Sequence, residues 1–251
     1  MSTESVRRLN LGIPRVIALQ TERRGGVSTA PFDSFNTAHH VGDDPGRVAR
    51  NRQILTAALP HESRVVWLDQ VHGSNVVSAH HVKEGSVEAD ASWTDVPGVF
   101  CAVMTADCLP LLLADRDGRC VAAVHCGWRG LVAGVVDSTV RQLPVLPDRL
   151  QAWLGPAIGP QAFEVGPEVR EAFDAALGAR ANHSFRPAQR AGHAFADIYS
   201  LATDFLHRAG VTSVSGGGCC TVTQADRFFS YRRDGVTGRT ATLIGIDPGS
   251  G

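Results

Sequence analysis

The chain has 251 residues, a hydrophobic fraction of 43% and a charged fraction of 20%, which are values typical of a globular protein and exclude a disordered or fibrous class. Its 24 Lys and Arg residues nearly balance its 25 Asp and Glu residues, so the formal net charge is -1. No overall field would therefore draw the chain to nucleic acid or to an anionic membrane, and we expect small molecules as its partners.

The cysteine pattern and the N-terminal segment indicate a reducing compartment. No secretory signal precedes the first predicted element, and no window approaches the apolar length of a membrane span, so we expect a cytoplasmic location. The six cysteines are Cys101, Cys108, Cys120, Cys126, Cys219 and Cys220. A chain of this size does not need disulfides for stability, so all six are predicted to be free thiols, and the absence of a CxxC pair disfavours a zinc ribbon or a thioredoxin-type redox motif. The length fits one domain over residues 1–251, which we expect to be a monomer or a weak homodimer.

The first half of the chain is predicted to begin with a short tail and an ordered loop. Gly, Ser, Pro, Asn and His enrich residues 23–44, which is typical of a functional loop. A helix is predicted over residues 45–59, with Asp44 as its N-cap and Pro45 at its first position. Runs rich in β-branched residues then predict strands over residues 64–68, 75–79, 99–104, 109–114 and 120–125.

The second half interleaves helices and strands. Apolar residues recur at helical spacing from Leu131 to Leu143, so the strand that ends before Gly127 is predicted to lead directly into a helix. Further helices are predicted over residues 167–177 and 196–208, and further strands over residues 150–154, 211–214 and 240–246. The predicted architecture is an α/β fold in which helices cover the outer faces of a mixed β-sheet.

Metal-binding side chains occur in three short segments, each at the place where a predicted strand meets a turn. They are His72 in DQVHG, Cys108 in TADCLP and His125 in AVHCGWRG. Ligand sites gather at strand ends in such folds. Two imidazoles and one thiolate suit a catalytic Zn²⁺ with a fourth position for water or substrate, and they also suit Cu²⁺. Packing and hydrogen bonding are the alternative roles, and spacing alone leaves them open.

Several ordered segments carry a family resemblance. They read GGVST with PFDSFN, HVGDD with the following NR, WLDQVHG, TADCLPLLLAD, AVHCGWRGL, GPAIGP with FEVG, and FFSYRRDG with TGR. Through them the chain resembles, over nearly its whole length, the multicopper polyphenol oxidase or laccase-like domain family, whose members are also named purine nucleoside phosphorylases and peptidoglycan editing factors. The resemblance implies an α/β sandwich related to a class of cysteine hydrolases. It also implies a metal or catalytic site on His72, Cys108 and His125.

The resemblance further implies an enzyme acting on purine nucleosides. The expected reactions are phosphorolysis of adenosine, inosine, guanosine and methylthioadenosine to the base and ribose 1-phosphate, together with deamination of adenosine. A zinc site suits deamination, because zinc deaminases activate a water for attack on the base. Phosphorolysis instead needs groups that bind phosphate and stabilise the departing base.

Four residues are candidates for substrate contacts. Arg129 follows the His125 strand at a predicted helix start and Arg52 lies in a family-like segment, so we expect either to contact phosphate or ribose, with a structural salt bridge as the alternative role. Asn36 and His40, in the glycine-rich early loop, are expected to line the pocket.

Three further polar residues are assigned supporting roles. Asp107, beside Cys108, is expected to orient a ligand histidine through its carboxylate, with capping of a turn as the alternative. Arg232 and Arg233 are interpreted as a solvated basic pair.

Other reactions are weighed against nucleoside chemistry. A true multicopper oxidase needs paired clusters of His ligands, and the sequence lacks them, so copper polyphenol oxidation is disfavoured. Cys108 with a neighbouring His is also a nucleophile and base pair, so an amide hydrolase acting on peptidoglycan precursors is the alternative function. A noncatalytic binding module is the third class. A stoichiometric metal favours the nucleoside enzyme, whereas a metal-free site with an alkylatable Cys108 favours the hydrolase.

Overall fold

Short β-branched runs and amphipathic segments form the strands and helices of the computed structural model, which describes residues 5–83 and 85–249. The strands of this part are β1 (Val6–Leu9), β2 (Val16–Thr21), β3 (Arg64–Val66), β4 (Leu68–Asp69), β5 (Val76–Ser78), β6 (Val87–Glu88), β7 (Ala91–Thr94), β8 (Val99–Thr105), β9 (Leu109–Asp115), β10 (Val121–Cys126), β11 (Leu150–Leu154), β12 (Glu164–Val165), β13 (Phe185–Pro187), β14 (Ala194–Ala196), β15 (Ser213–Gly216) and β16 (Thr240–Ile246). The α-helices are α1 (Pro45–Thr56), α2 (Trp128–Val132), α3 (Val135–Gln142), α4 (Pro167–Leu177), α5 (Ile198–Arg208) and α6 (Tyr231–Asp234).

Two large mixed sheets organise these strands. The five-stranded sheet has the order β1-β2-β16-β8-β3, and only its β3–β8 pair is parallel. The six-stranded sheet has the order β15-β11-β9-β10-β7-β5, with parallel pairs at both edges. Two small sheets, β12-β14-β13 and β4-β6, complete the set within the described residues.

The period-two alternation of strand side chains builds the layers. On β8, Cys101 and Val103 point into a core shared with the six-stranded sheet, whereas Phe100 and Ala102 point outward. The outward residues pack with Leu55 of α1, so this helix covers the outer face of the five-stranded sheet.

The six-stranded sheet is covered in the same way on its other side. Leu112 of β9 joins the core between the sheets, while Leu111 and Leu113 face a larger core that includes Phe173 of α4 and Phe205 of α5. The molecule is thus a helix-covered β-sandwich, and the predicted mixed α/β fold is confirmed. The assignment of residues 1–251 to one domain stays a prediction.

The N-terminal segment differs most from the sequence-based prediction. The residues before Arg23 are expected to be a tail, but they include the strands β1 and β2, and β2 pairs with β16 near the middle of its sheet. The run VIALQT carried the signal, since a short apolar segment of this length is typical of a buried strand.

Helix boundaries account for most other differences. The helix expected over residues 131–143 is broken at Gly134, whose φ of 88° ends α2 before α3 begins. The helix expected from residue 196 begins at Ile198, because the Asp197 carboxylate accepts the N–H groups of Tyr199 and Ser200 as an N-cap. The helix expected over residues 45–59 ends at Thr56.

Several predicted elements agree closely with the structure. The bounds of α4, β11 and β16 match, and the strands over residues 99–126 shift by one residue at some ends. The short strands β4, β6, β7 and β12 to β14 were not predicted. All six cysteines are free thiols, and Cys101, Cys120 and Cys126 are buried. Within residues 5–83 and 85–249, no helix combines the length and the apolar character that a membrane crossing requires.

The inter-sheet core generates the first testable prediction. Leu112 is 1% exposed between the sheets, whereas Leu146 is 69% exposed. Leu112→Ala should lower the free energy of unfolding by about 2 to 5 kcal/mol, because it leaves a cavity in a close-packed layer. The matched change Leu146→Ala should stay within about 0.5 kcal/mol of the parent chain. Urea denaturation measures both, and equal effects of the two changes would contradict the sandwich packing.

Candidate active site

His125 is fixed by the end of a central strand. It follows Val121 and Ala123 at even spacing on β10, so it lies on the side of the strand that faces the other sheet. Cys126 points to the opposite side, into the helix-covered core, and therefore is not part of the site beside it. His125 is only 3% exposed, and its Nδ1 lies 2.8 Å from Oδ1 of Asp90.

His72 lies in a tight turn held by the same carboxylate. Its φ is 61°, a left-handed conformation that is uncommon for residues other than glycine. The carboxylate of Asp90 accepts the N–H groups of Val71, His72 and Gly73, at distances of 3.3, 2.9 and 2.6 Å. These three bonds stabilise the turn and aim the exposed His72 ring at His125.

Cys108 completes the cluster from the turn between β8 and β9. The preceding residue, Asp107, also has a positive φ, of 90°. The Sγ of Cys108, which is half-buried, lies 3.7 Å from Nε2 of His72. A strained turn thus brings the thiol out of the strand direction and into contact with the histidine.

The donor set fits a metal ion in its chemistry and nearly in its spacing. One ligating atom from each of His72, Cys108 and His125 lies within 4.8 Å of the others. Bonds of about 2.0 to 2.3 Å to zinc need donors about 4 Å apart, so the cluster is slightly wider than a closed site. The absence of a side chain at Gly127 lets His72 and Cys108 approach the backbone closely. A Cβ at this position would lie 2.8 Å from Cδ2 of His72 and 3.1 Å from Sγ of Cys108.

The charges of the cluster are coupled. Burial alone raises the pKa of the Cys108 thiol, but the charge of His125 and hydrogen bonds from both histidines outweigh it and bring the pKa to about 6. Burial opposes charge on His125, yet the Cys108 thiolate and the Asp90 carboxylate raise its pKa to about 9. At neutral pH the metal-free cluster is therefore a thiolate–imidazolium pair with a carboxylate behind it.

A cavity of about 410 Å³ opens above the cluster. Its apolar wall consists of Met104, Trp128, Ile158, Phe163 and Ile198. Its cationic groups are Arg129, Arg232 and Arg239, none of which forms an ion pair with a carboxylate in the described part of the chain. The cavity is large enough for a small organic molecule and carries an excess of positive charge.

Comparisons with known proteins give the family. Residues 17–247 match the family model described as multi-copper polyphenol oxidoreductase laccase. The chain belongs to this laccase family. It is 56% identical to purine nucleoside phosphorylase PA4543 of Pseudomonas aeruginosa over 92% of this chain and 93% of that protein. It is 51% identical to purine nucleoside phosphorylase YfiH of Escherichia coli K12, over 91% and 93% of the two chains.

Solved structures agree with the laccase family assignment. The crystal structure of the Neisseria meningitidis protein NMB0706 has a TM-score of 0.91 and 46% identity, and the match covers 97% of this chain and 99% of that one. YlmD from Geobacillus stearothermophilus has a TM-score of 0.90 and 29% identity, with 98% of each chain covered. Both the fold and the family expected from the sequence are therefore confirmed.

The oxidase part of the family name has limited support in the ligand groups of this chain. Among the described residues, the His72, Cys108 and His125 group is the one cluster of three or more His, Cys, Asp or Glu side chains that could hold a metal. A trinuclear copper centre with a separate electron-transfer copper requires several such clusters.

Two of the four predicted substrate residues line the cavity of this laccase-family site, and two do not. His40 and Arg129 line the cavity. Arg52 does not: its Nε donates to the Thr37 carbonyl at 2.8 Å, and its guanidinium lies 3.9 Å from the centre of the Trp67 ring. Arg52 therefore makes structural contacts in place of the expected substrate contact. These contacts are with a carbonyl and an aromatic ring, whereas the alternative role was a salt bridge.

Asn36 also lies outside the cavity lining. It is fully buried, and its Nδ2 donates to Asp43 and to the Ala38 carbonyl. Its Oδ1 accepts the N–H of Arg239 at 2.9 Å. Asn36 thus fixes the backbone of a cavity arginine and does not line the pocket as expected.

Asp107 was expected to orient a ligand histidine, and this expectation is wrong for the contacts observed. Its carboxylate accepts the Thr221 hydroxyl at 2.5 Å and the Arg232 N–H at 2.7 Å. Arg232 lines the cavity but is exposed, so it is solvated as expected, while Arg233 is half-buried and is bound to the Thr221 and Val222 carbonyls.

Two residues of the site, Asp90 and Arg239, are not predicted by the sequence patterns. Asp90 holds His125 and the His72 turn, and Arg239 lines the cavity near the start of β16. Asp90 immediately precedes a strand that was not predicted, so no pattern singled it out. Arg239 closes the quoted TGR segment, which was the available signal.

The thiolate generates a prediction about pH. In metal-free protein, iodoacetamide should modify Cys108 with a rate that rises through a midpoint near pH 6, because the thiolate is the nucleophile and is protonated below that pH. Cys101 and Cys126 are buried and should resist modification in the folded protein. Peptide mapping after timed alkylation separates the sites. A midpoint near the ordinary cysteine value of about 8.5 would contradict the thiolate–imidazolium pair.

The carboxylate behind His125 generates a further prediction. Asp90→Asn removes the charge that stabilises the imidazolium, so the alkylation midpoint of Cys108 should move to higher pH. Asp115→Asn is the matched control, since Asp115 is also buried but pairs with Arg119 and Arg149 at the far end of β9. It should lower stability and leave the Cys108 midpoint unchanged. A midpoint that is equally unaffected by both changes would rule out the proposed role of Asp90.

Proposed function

We propose that the chain is a purine nucleoside phosphorylase that also deaminates adenosine, with its chemistry centred on His72, Cys108 and His125. The observation that carries the proposal is that this cluster lies in a cavity with an apolar wall and three arginines that form no ion pair with a carboxylate in the described part of the chain. The names of the Pseudomonas and Escherichia relatives support the same reaction. We further propose that the enzyme acts in the cytoplasm on adenosine, inosine, guanosine and methylthioadenosine.

The arginines account for the phosphate substrate. In phosphorolysis a phosphate oxygen forms a bond to C1′ of the ribose while the bond from C1′ to the base breaks, and the base leaves with the bonding electrons. Arg129, Arg232 and Arg239 supply charge for the anionic nucleophile. Their guanidinium groups form no ion pair with a carboxylate within residues 5–83 and 85–249, so their charge is available to a phosphate.

The apolar residues and a histidine of the cavity would bind the nucleoside. The flat faces of a purine are apolar, which suits Trp128, Phe163 and Ile198. The departing base carries the bonding electrons until water protonates it, and a histidine that donates a hydrogen bond from the cavity wall stabilises this charge. His40 is the candidate outside the metal-type cluster; burial and the charge of Arg239 lower its pKa. It would therefore act as a neutral hydrogen-bond donor through one ring nitrogen.

A zinc ion would be held by Nε2 of His72, Sγ of Cys108 and the Nε2 of His125. The last assignment follows because Nδ1 of His125 is committed to Asp90, which fixes the ring orientation. When bound, zinc would supply Lewis acidity for the deamination of adenosine. Copper suits the same donors, and metal analysis of the purified protein decides between them.

An amide hydrolase is the second candidate, and one observation favours it. Asp90, His125 and Cys108 lie in series, with the thiol in the lining of the cavity and the carboxylate behind the imidazole. A thiolate activated in this way is the nucleophile of cysteine hydrolases. The peptidoglycan-editing name used in the family fits such a reaction, in which an amide of a wall precursor would be cleaved without phosphate.

Product analysis tests the two reactions on one preparation. Incubation with inosine should release hypoxanthine and ribose 1-phosphate only when phosphate is present, and adenosine should also give inosine. Cys108→Ala should reduce these rates on the order of 100-fold or more and lower the metal content, because it removes one of three ligands. Chromatography of the bases and metal analysis provide the readouts.

Cys126→Ala is the matched control for this experiment. Cys126 is adjacent to His125 in sequence but buried on the other side of the strand, so its loss should cost some stability and preserve turnover. Phosphate-independent cleavage of an amide substrate, together with a metal-free site, would favour the hydrolase. Wild-type phosphorolysis by Cys108→Ala would overturn the proposed role of the thiol.

A further inference from the structure

A second cavity, of about 390 Å³, lies away from the active site. It is bounded by the edge strand β1 of the five-stranded sheet and by the chain around the edge strand β15 of the six-stranded sheet. It therefore opens where the two layers of the sandwich end on the same side. None of its lining residues also lines the cavity above His72, Cys108 and His125.

The charge of this second cavity is positive. Arg7, Arg8 and Arg227 line it, and no Asp or Glu does. Arg227 is paired with Glu22, so its charge is largely compensated. Arg7 and Arg8 have no ion-pair partner within the described residues. An anionic ligand would supply the missing partner.

A buried amide points to the same kind of ligand. Gln20 lines the cavity, is only 5% exposed, and its Nε2 has no hydrogen-bond partner in the described part of the chain. Buried donors in native proteins are nearly always paired, so this one requires an acceptor. The terminal torsion of glutamine is soft, which lets the amide turn its donor toward a bound group.

Strand register brings this amide beside an arginine. Arg7 of β1 lies directly opposite Gln20 of β2 in the antiparallel pair. Directly opposed residues project from the same face of a sheet, so a guanidinium and an amide donor are presented side by side. This pair can donate several hydrogen bonds to one oxyanion, which is the pattern that recognises phosphate.

The facing wall is aromatic. Trp153 of β11 lines the cavity from the other sheet and is half-buried. A ring of this kind packs against a sugar or a planar base. The combination of a cationic side, an amide donor and an aromatic wall differs from a site for a bare inorganic ion.

We propose that this cavity binds a small organic phosphate, with its phosphate group on Arg7 and Gln20 and its sugar or base against Trp153. The cavity volume is within the range that holds such ligands. The proposal does not rest on the function assigned to the active site. The shared chemistry is a phosphate monoester, which a sugar phosphate and a nucleotide both carry.

Isothermal titration of the full chain tests the proposal with AMP, ribose 5-phosphate, inorganic phosphate and adenosine. The active site is also expected to bind some of these, so Arg129→Gln is included to weaken that site. A phosphate monoester should still bind to Arg129→Gln at one equivalent. Arg7→Gln and Gln20→Leu should each weaken this binding roughly tenfold or more, and adenosine should not compete for it.

Arg190→Gln, at an exposed position outside both cavities, is the matched control and should leave binding unchanged. Gln20→Leu keeps a side chain of similar size in a buried position, and Arg7→Gln alters an exposed one, so at least one variant should fold normally. Tighter binding of AMP than of ribose 5-phosphate would identify a nucleotide, and equal binding a sugar phosphate. Binding that is lost in Arg129→Gln, unaffected by both Arg7→Gln and Gln20→Leu, or limited to inorganic phosphate would overturn the proposal.

Discussion

The active site depends on one buried carboxylate. Asp90 binds Nδ1 of His125 and accepts three consecutive N–H groups from the turn that carries His72. Its backbone carbonyl also accepts the N–H of His125 at 2.7 Å. Because one residue holds both histidines, their relative position is set before any ligand binds. Burial alone would raise the pKa of Asp90, but the bonds from His125 and the Gly73 N–H lower it, so the carboxylate stays charged and keeps all of these contacts.

The sandwich gives this carboxylate its surroundings. The strand alternation that sends Val121, Ala123 and His125 to one side sends Cys126 to the other, so one thiol joins the cluster and its near neighbour does not. Positive φ values at His72 and Asp107 then turn two chain segments out of their strands toward His125. These conformations are unfavourable for residues with side chains and persist because hydrogen bonds to Asp90 and to Thr221 hold the turns. The rigid layers therefore supply the precision that the turns alone would lack.

Sequence patterns predict the three residues of the cluster but not the roles of the residues around it. His72, Cys108 and His125 could be selected because each stands at the end of a recognisable strand. Asp90 could not, since its role depends on contacts with residues 18 and 35 positions away along the chain. Asn36 and Arg52 illustrate the reverse case: both lie in family-like segments, yet they stabilise the wall behind the cavity. Family motifs mark residues that a fold requires, and only the packed structure separates those that touch the cavity from those that hold it in place.

The same geometry explains why one family carries names for different reactions. A histidine fixed through Nδ1 presents Nε2 to the cavity, and this is what both a metal ligand and a catalytic base require. The cluster alone therefore does not distinguish a nucleoside enzyme from an amide hydrolase. We propose that the wall does, because amide cleavage uses no anionic co-substrate, whereas phosphorolysis uses inorganic phosphate, which guanidinium groups bind. Arg129, Arg232 and Arg239 line the same cavity as the cluster and form no ion pair with a carboxylate within the described residues, so their charge is available to an anionic substrate. On this argument the arginines, and not the His–Cys–His cluster, favour phosphorolysis.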